Sequence, residues 1–193
     1  MNVPDTSWIS YVDGWHDFFI LTGTAAVTLV GLLFVAISLH VESLVEEGRE
    51  HLLELARVTL MSFVMVLVLS LELLTPAVPR RILSVQMMIL GGVFAIVTLR
   101  TLVFSRGRGH EHFTLGRFRR RLAVPLFGYL WILFSGWLLR RTPDPTILSV
   151  VIGGVILLLV NALSTSWDLL VRVARVRHSD KHAARNAAKP PID

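Results

Sequence analysis

The stretch FFILTGTAAVTLVGLLFVAISL, at residues 18–39, contains no Asp, Glu, Lys or Arg. A helix needs about 20 apolar residues to cross roughly 30 Å of hydrocarbon, so this stretch has the length and composition of one transmembrane helix. Strands of a membrane barrel would be about ten residues long and would alternate polar with apolar side chains. This stretch is about twice that long and its polar and apolar residues do not alternate, so it predicts a membrane-spanning helix.

Four further segments extend this pattern along the chain. Residues 82–99, 122–139 and 145–167 also lack acidic and basic side chains, and residues 58–71 form an uncharged run that ends at Glu72. The sequence predicts an all-α integral membrane protein with about five transmembrane helices. We place the spans at about residues 17–40, 57–78, 82–104, 122–140 and 145–171. Residues 1–177 are expected to form a single transmembrane helical domain.

The basic residues predict the orientation of these helices. With the N-terminus outside, the cytoplasmic side carries Arg49, Arg57, six arginines between residues 106 and 121, and six Lys or Arg between residues 172 and 189. The outer loops carry four, namely Arg80, Arg81, Arg140 and Arg141. Short loops rich in Lys and Arg favour the cytoplasm. We therefore expect an outer N-terminus and a cytoplasmic C-terminus, in a bacterial inner membrane.

Two cytoplasmic segments carry much of this positive charge. Residues 105–121 combine arginine, glycine and aromatic side chains, and we interpret them as a loop that lies on anionic lipid headgroups. Residues 178–193 are polar and basic, and we interpret them as a disordered tail. A basic chain can bind nucleic acid, but no recognition fold accompanies this loop, so we expect membrane lipids as partners and no nucleic acid.

The outer end of the first span combines aromatic and ionisable side chains. The aromatic residues are Trp8, Tyr11, Trp15, Phe18 and Phe19. Such rings favour the headgroup region, which predicts an aromatic belt facing the membrane interface. Next to them, Asp17 is suited to cap the N-terminus of the helix, or to form a proton-sensitive cap with His16. Glu72 is expected at the same outer interface, where it could meet His16, Arg80 or Arg81.

Small residues recur at helical spacing in two of the spans. The first span carries Thr24, Thr28, Gly31 and Ser38, and the third carries Ser84, Gly91, Ala95 and Thr98. Small side chains allow two membrane helices to approach closely, without a hydrophobic driving force between them. Both stripes therefore predict helix packing, either within one bundle or between subunits.

The fifth span carries a polar face in its inner half. Asn161, Ser164, Thr165 and Asp168 follow one another at positions i, i+3, i+4 and i+7. Such a face avoids lipid by turning toward the bundle, a partner or water. Arg100, near the inner end of the third span, should lie at the depth of Asp168. We expect the two to form an ion pair, which removes the cost of two isolated charges near hydrocarbon.

A resemblance to known proteins rests on the first helix. The run Trp15-His-Asp-Phe-Phe19, followed by Gly23-Thr-Ala-Ala26 and by Gly31-Leu-Leu-Phe-Val-Ala-Ile-Ser-Leu39, resembles the opening of a group of small bacterial membrane proteins. Some of these carry the label of modulator of a membrane-bound ATP-dependent protease. The resemblance implies an accessory role in a membrane, and it implies no catalytic or binding residue.

These patterns favour function by association. The sequence carries no hydrolase elbow, phosphate loop or zinc-protease motif, so we expect no enzyme, no cofactor and no metal site. Our interpretation is a non-enzymatic protein that associates through its helices, as a homo-oligomer or as the accessory of another membrane protein. The alternative is an oligomeric ion channel or small-solute transporter that uses the polar face of the fifth helix.

Overall fold

The computed structural model of the chain describes residues 6–39, 50–76, 78–107, 112–142, 144 and 146–187. Within these ranges all regular secondary structure is helical. The helices are α1 (Thr6–Asp13), α2 (His16–Leu39), α3 (Glu50–Leu74), α4 (Arg80–Gly107), α5 (His112–Arg141) and α6 (Ile147–Ala187).

Five of these helices are long and apolar enough to cross a membrane. The apolar segments are His16–Leu39, Leu55–Leu74, Arg80–Val103, Leu122–Arg141 and Ile147–Asp168, with mean hydropathies of 1.8 to 2.5. The number of candidate spans therefore agrees with the prediction. The bounds differ by a few residues. The second segment ends at Leu74 and the third begins at Arg80, because Pro76 and Pro79 lie in the connection that separates α3 from α4.

Helix packing places α3 at the centre of the bundle. The largest interface joins α4 to α5, followed by α2 with α3, α5 with α6, and α3 with α6. Apolar residues from all of these helices form one continuous core, which includes Met65, Leu69, Met87, Tyr129 and Val155. Dispersion contacts of this kind hold membrane helices together, since lipid tails are as apolar as the side chains themselves.

Two buried hydrogen bonds fix how the helices pack within this core. The Tyr129 hydroxyl on α5 lies 2.9 Å from Ser62 Oγ on α3, and Thr22 Oγ1 on α2 lies 3.2 Å from Ser70 Oγ on α3. Ser62 and Thr22 also donate to carbonyls of their own helices. Pairing leaves these hydroxyls satisfied where no water is available.

Helix α1 packs across the end of the bundle where α2 begins and α3 ends, and this packing corrects the expected aromatic belt. Trp8 is only 5% exposed, and its Nε1 donates to the carbonyl of Val78 at 3.4 Å. Phe19 is fully buried in the core, and the Tyr11 hydroxyl lies 3.3 Å from Ser149 Oγ at the start of α6. Burial of a large ring with a partner for its polar atom outweighs a place in the headgroups. Trp8 and Phe19 are therefore core residues and not part of an aromatic belt at the membrane interface.

Three helices extend further than the sequence predicted, at the ends that we expect in the cytoplasm. Helix α4 continues to Gly107 and α5 begins at His112, so most of residues 105–121, expected to be a loop, is helical. Helix α6 continues to Ala187, through residues expected to be disordered. Ala, Arg and Lys are good helix formers, and extending an existing helix needs no new nucleation. Residues 40–49, 108–111 and 188–193 lie outside the described residues.

Candidate functional site

The small-residue stripe of α4 lies inside the molecule. Ser84, Ala95 and Thr98 are buried. A Cβ atom added to Gly91 would lie 2.8 Å from the backbone nitrogen of Leu133 and 2.9 Å from the carbonyl oxygen of Tyr129. Helix α5 thus approaches the backbone of α4 directly. This stripe packs within one bundle, which was one of the two alternatives that the sequence left open.

Helix α5 contributes glycines that the sequence analysis did not single out. A Cβ on Gly136 would lie 2.9 Å from the carbonyl oxygen of Ser84 on α4, and a Cβ on Gly128 would lie 2.5 Å from Leu158 on α6. Eight residues at about 100° per residue place the two glycines roughly 80° apart around α5, so they lie on different sides of the helix and no shared stripe marked them in the sequence. Helix α5 therefore packs closely against two neighbours through glycine.

The corresponding stripe of α2 faces away from the bundle. Its members are Thr24, Thr28, Gly31 and Ser38, and all four are exposed. We call this surface the α2 outer face. A Cβ added to Gly31 would meet nothing within 4 Å. The Thr28 hydroxyl donates to the carbonyl of Thr24 at 2.8 Å, which satisfies it within its own helix. The α2 outer face is therefore open to contact.

Helix α2 is also the least covered of the five membrane-length helices. Only 22% of its apolar segment is buried, against 33–50% in the other four. Its inward side packs closely, since a Cβ on Gly23 would lie 3.1 Å from Cβ of Ser70 on α3. Helix α2 has an extensive interface with α3 and a small one with α6. The two sides of α2 thus differ, one packed within the bundle and one open.

The polar face of α6 lies at the edge of the bundle. Ser164 is exposed, whereas Asn161, Thr165 and Asp168 are half-buried. The hydroxyls of Ser164 and Thr165 each donate at 2.8 Å to the carbonyl four residues earlier in the same helix. These two groups are therefore satisfied without a partner helix. Seven residues before Asn161, Gly154 is buried against Trp131 and Ile132 of α5.

Arg100 and Asp168 lie on helices that are not close neighbours. Arg100 is exposed on α4, which packs against α5 and α3, and Asp168 is half-buried on α6, which packs against α5, α3 and α2. No extensive interface joins α4 to α6 in the described part of the chain. The ion pair between Arg100 and Asp168 stays a prediction.

The residues expected at the outer interface separate into two places. His16 and Glu72 line a cavity of about 40 Å³ between α1 and the ends of α2, α3 and α4, together with Asp13, Trp8, Thr75 and Leu83. We call it the outer cavity. Asp17 does not line it, although its Oδ1 lies 3.6 Å from Nδ1 of His16. Arg80, a possible partner of Glu72, instead donates to the carbonyl of Thr142 at 2.9 Å.

The connection between α5 and α6 carries a helix cap. The hydroxyl and the backbone N–H of Thr146 both donate to Oδ1 of Asp144, at 2.7 and 2.9 Å. These hydrogen bonds hold the pKa of the Asp144 carboxyl below its ordinary value. The charged carboxylate at the N-terminus of α6 also complements the helix dipole.

Neither a group of metal ligands among the described residues nor a similar known protein indicates what these surfaces bind. Among the described residues, no three His, Cys, Asp or Glu side chains form a group that could hold a metal ion. No protein-family model, curated protein or solved structure matches the chain. The resemblance of residues 15–39 to small bacterial membrane proteins therefore stays a prediction, and the candidate surfaces are the α2 outer face, the α6 polar face and the outer cavity.

Proposed function

We propose that the protein is a non-enzymatic multi-pass protein of a bacterial inner membrane that acts by helix association through the α2 outer face. The observation that carries this proposal is the contrast between the two small-residue stripes. The α4 stripe is filled by α5, with backbone atoms within 3 Å of a Cβ on Gly91, whereas a Cβ on Gly31 meets nothing within 4 Å. A stripe of this kind supports a partner helix.

The occupant that fits the α2 outer face best is α2 of a second copy of this chain. Two helix backbones approach closely when both present small residues at the contact. A twofold interface places the same surface on both sides, so Gly31 would face small residues of the partner α2. Thr28 donates within its own helix, so its hydroxyl adds no unsatisfied donor to the interface.

The orientation within the membrane belongs to the same proposal. Fourteen Lys and Arg lie in the segments assigned to the cytoplasm and four in the outer loops, with Arg100 inside a span. This asymmetry supports an outer N-terminus and a cytoplasmic C-terminus. The basic cytoplasmic segments would then also attract anionic lipid headgroups.

Substitution of Gly31 by Leu is expected to convert the dimer to a monomer without unfolding the chain. The larger side chain would hold the two α2 backbones apart, while inside the monomer it enters open space. Sedimentation equilibrium in mild detergent, or energy transfer between labelled copies in liposomes, measures the association. We expect at least about a tenfold weaker dimer, equivalent to about 1.4 kcal/mol.

Gly153 on α6 provides a matched control, because a Cβ there also meets nothing within 4 Å. Gly153→Leu adds the same bulk to an exposed glycine of another membrane helix, and we expect it to leave the dimer intact. A wild-type chain that is monomeric in liposomes, or a Gly31→Leu variant that associates as well as Gly153→Leu, would refute self-association through α2. Complexes with a different membrane protein that form only when Gly31 is present would show that this protein, and not a second copy of the chain, binds the α2 outer face.

The position of the α6 polar face supports a second candidate function. Exposed Ser164 and half-buried Asn161, Thr165 and Asp168 lie at the edge of the bundle, where several copies together could surround a path for ions or a small solute. Ion flux in liposomes that Asn161→Leu abolishes would favour this channel over a purely associative role.

A further inference from the structure

Four arginines converge at the end of the bundle where α4 begins and α5 ends. Arg80 and Arg81 open α4, and Arg140 and Arg141 close α5. The two helix ends lie in contact, since Nη1 of Arg80 donates to the carbonyl of Thr142 at 2.9 Å. Among the described residues, no carboxylate lies within ion-pair distance of any of the four arginines. Converging positive charges repel one another, so this end of the bundle is complementary to an anion.

Two of the four guanidinium groups are held in place by their neighbours. The carbonyl of Thr142 fixes Arg80, and the guanidinium carbon of Arg141 lies 5.2 Å from the centre of the Trp137 ring, a cation–π contact. Trp137 precedes Arg141 by four residues, so this contact turns the guanidinium back toward the apolar segment of α5. Because Arg141 adjoins Thr142 in the chain, two fixed cations from two helices lie side by side. We call Arg80 and Arg141 the paired arginines.

The paired arginines lie at the depth of lipid phosphates. Arg80 is the first residue of one membrane-length apolar segment, and Arg141 is the last residue of the next. Basic side chains at the ends of such segments reach the headgroup layer. A guanidinium group presents a planar fork of N–H donors that matches two phosphate oxygens. A lipid phosphate would therefore meet both arginines without leaving its own layer.

Toward the bilayer centre from the paired arginines, α5 presents an exposed aromatic face. Its members are Phe127, Trp131, Phe134 and Trp137, which are between 36% and 54% exposed. They follow one another at spacings of three and four residues, which places them on one side of the helix. Phe127 and Trp137 are separated by a rise of about 15 Å along the helix, or half of the roughly 30 Å of hydrocarbon in a bilayer. This face thus has the length of one acyl chain.

We propose that the paired arginines and the aromatic face of α5 together bind one anionic phospholipid, such as phosphatidylglycerol. The phosphate accepts hydrogen bonds from both guanidinium groups, and one acyl chain packs along the aromatic face. Phosphatidylcholine is disfavoured, because its own quaternary ammonium group would lie near the arginines. The site lies at the opposite end of α4 and α5 from residues 105–121, and it involves no residue of α2. The proposal is therefore independent of association through the α2 outer face.

Quenching of tryptophan fluorescence by brominated lipid tests the proposal in the full-length chain. Trp131 and Trp137 report on the site, and Trp167→Phe removes the signal of an exposed tryptophan near the far end of the α6 apolar segment. In vesicles of phosphatidylcholine, we expect dibrominated phosphatidylglycerol to bind near the remaining tryptophans more strongly than dibrominated phosphatidylcholine. The expected preference is about five- to thirtyfold, since each arginine near an anionic lipid contributes about fivefold.

The four arginines provide matched pairs of variants. Arg141→Gln and Arg80→Gln should each lower the preference about fivefold. Arg140→Gln and Arg81→Gln remove the same charge about 100° around each helix, and they should change the preference less than about twofold, because salt screens exposed charges. Arg141→Lys keeps the charge but loses the planar fork, so it should also lower the preference. If Arg80→Gln fails to fold for lack of its bond to Thr142, the variants of exposed Arg141 decide the test alone.

Three results would overturn the proposal. One is the absence of any preference for phosphatidylglycerol in the parent chain. Another is an equal loss of preference in all four glutamine variants, or none in Arg141→Lys, since either would indicate diffuse attraction to positive charge. The third is a preference that inorganic phosphate abolishes at constant ionic strength, which would assign the arginines to a soluble anion. Gly31→Leu should retain the preference whether or not it associates, so failure of this proposal is distinguishable from failure of the proposed function.

Discussion

Gly91→Ala is expected to destabilise the bundle by about 2–3 kcal/mol, although it adds a single methyl group. The new Cβ would lie 2.8 Å from the backbone nitrogen of Leu133 and 2.9 Å from the carbonyl oxygen of Tyr129. Backbone atoms in a helix cannot rotate away as a side chain can, so α4 and α5 must separate. Their separation would weaken the largest helix interface of the protein. Titration with sodium dodecyl sulfate, followed by circular dichroism, measures the loss.

The adjacent glycine supplies the control for this substitution. A Cβ on Gly92 would lie 3.6 Å from Cδ1 of Leu133, an ordinary van der Waals distance, so Gly92→Ala should change stability by less than about 1 kcal/mol. Both variants exchange the same residue types one position apart in α4, which equalises their helix propensities. Equal stability of the two variants would show that α5 does not approach α4 as closely as the structure indicates.

Single cysteines are expected to label from opposite sides of the membrane. The chain contains no cysteine, so each introduced thiol is the sole target of a maleimide. Thr142→Cys lies between α5 and α6, where the side chain is exposed and the bond from Arg80 is to the backbone carbonyl. Ala187→Cys lies at the other end of α6. An impermeant maleimide added to intact cells should label Thr142→Cys and spare Ala187→Cys until the membrane is permeabilised.

The physical reason for this expectation is the distribution of basic residues. The segments assigned to the cytoplasm carry fourteen Lys and Arg and the loops assigned to the outside carry four, and basic residues in short loops resist translocation. Labelling of Ala187→Cys in intact cells would show that the orientation is the reverse of the one we propose. Labelling of both positions from one side would exclude an odd number of spans between them, and with it the assignment of α6 as a transmembrane helix.

The spans and their number were predictable because hydrophobic length is a property of local sequence. Uncharged runs such as residues 18–39 and 145–167 predict helices without reference to any neighbour. The second span was predictable as well, since Glu72 lies two residues from the end of α3, where a carboxylate can be accommodated near the interface. The charged extensions of α4, α5 and α6 were missed because charge suggested loops, whereas helix propensity and continuity with an apolar segment favoured helix.

The candidate surfaces were only partly predictable, because a sequence shows which residues share a face and not what that face contacts. The stripes of Gly31 and Gly91 are alike in composition, yet α5 covers one and leaves the other open. Trp8 likewise had the sequence position of an interfacial aromatic, but it is buried, and its Nε1 donates to the carbonyl of Val78, seventy residues away. The outer cavity could not be predicted at all, since four separate helices form it.

Disulfide cross-linking in native membranes tests the central claim most directly, namely that the α2 outer face joins two copies. The absence of native cysteine makes every cross-link attributable to the introduced residue. Thr28→Cys and Gly31→Cys should give a covalent dimer on oxidation, because facing small residues bring the two backbones close, while Gly153→Cys on α6 should remain monomeric. Cross-linking through Gly153→Cys with none through Thr28→Cys or Gly31→Cys would contradict the account.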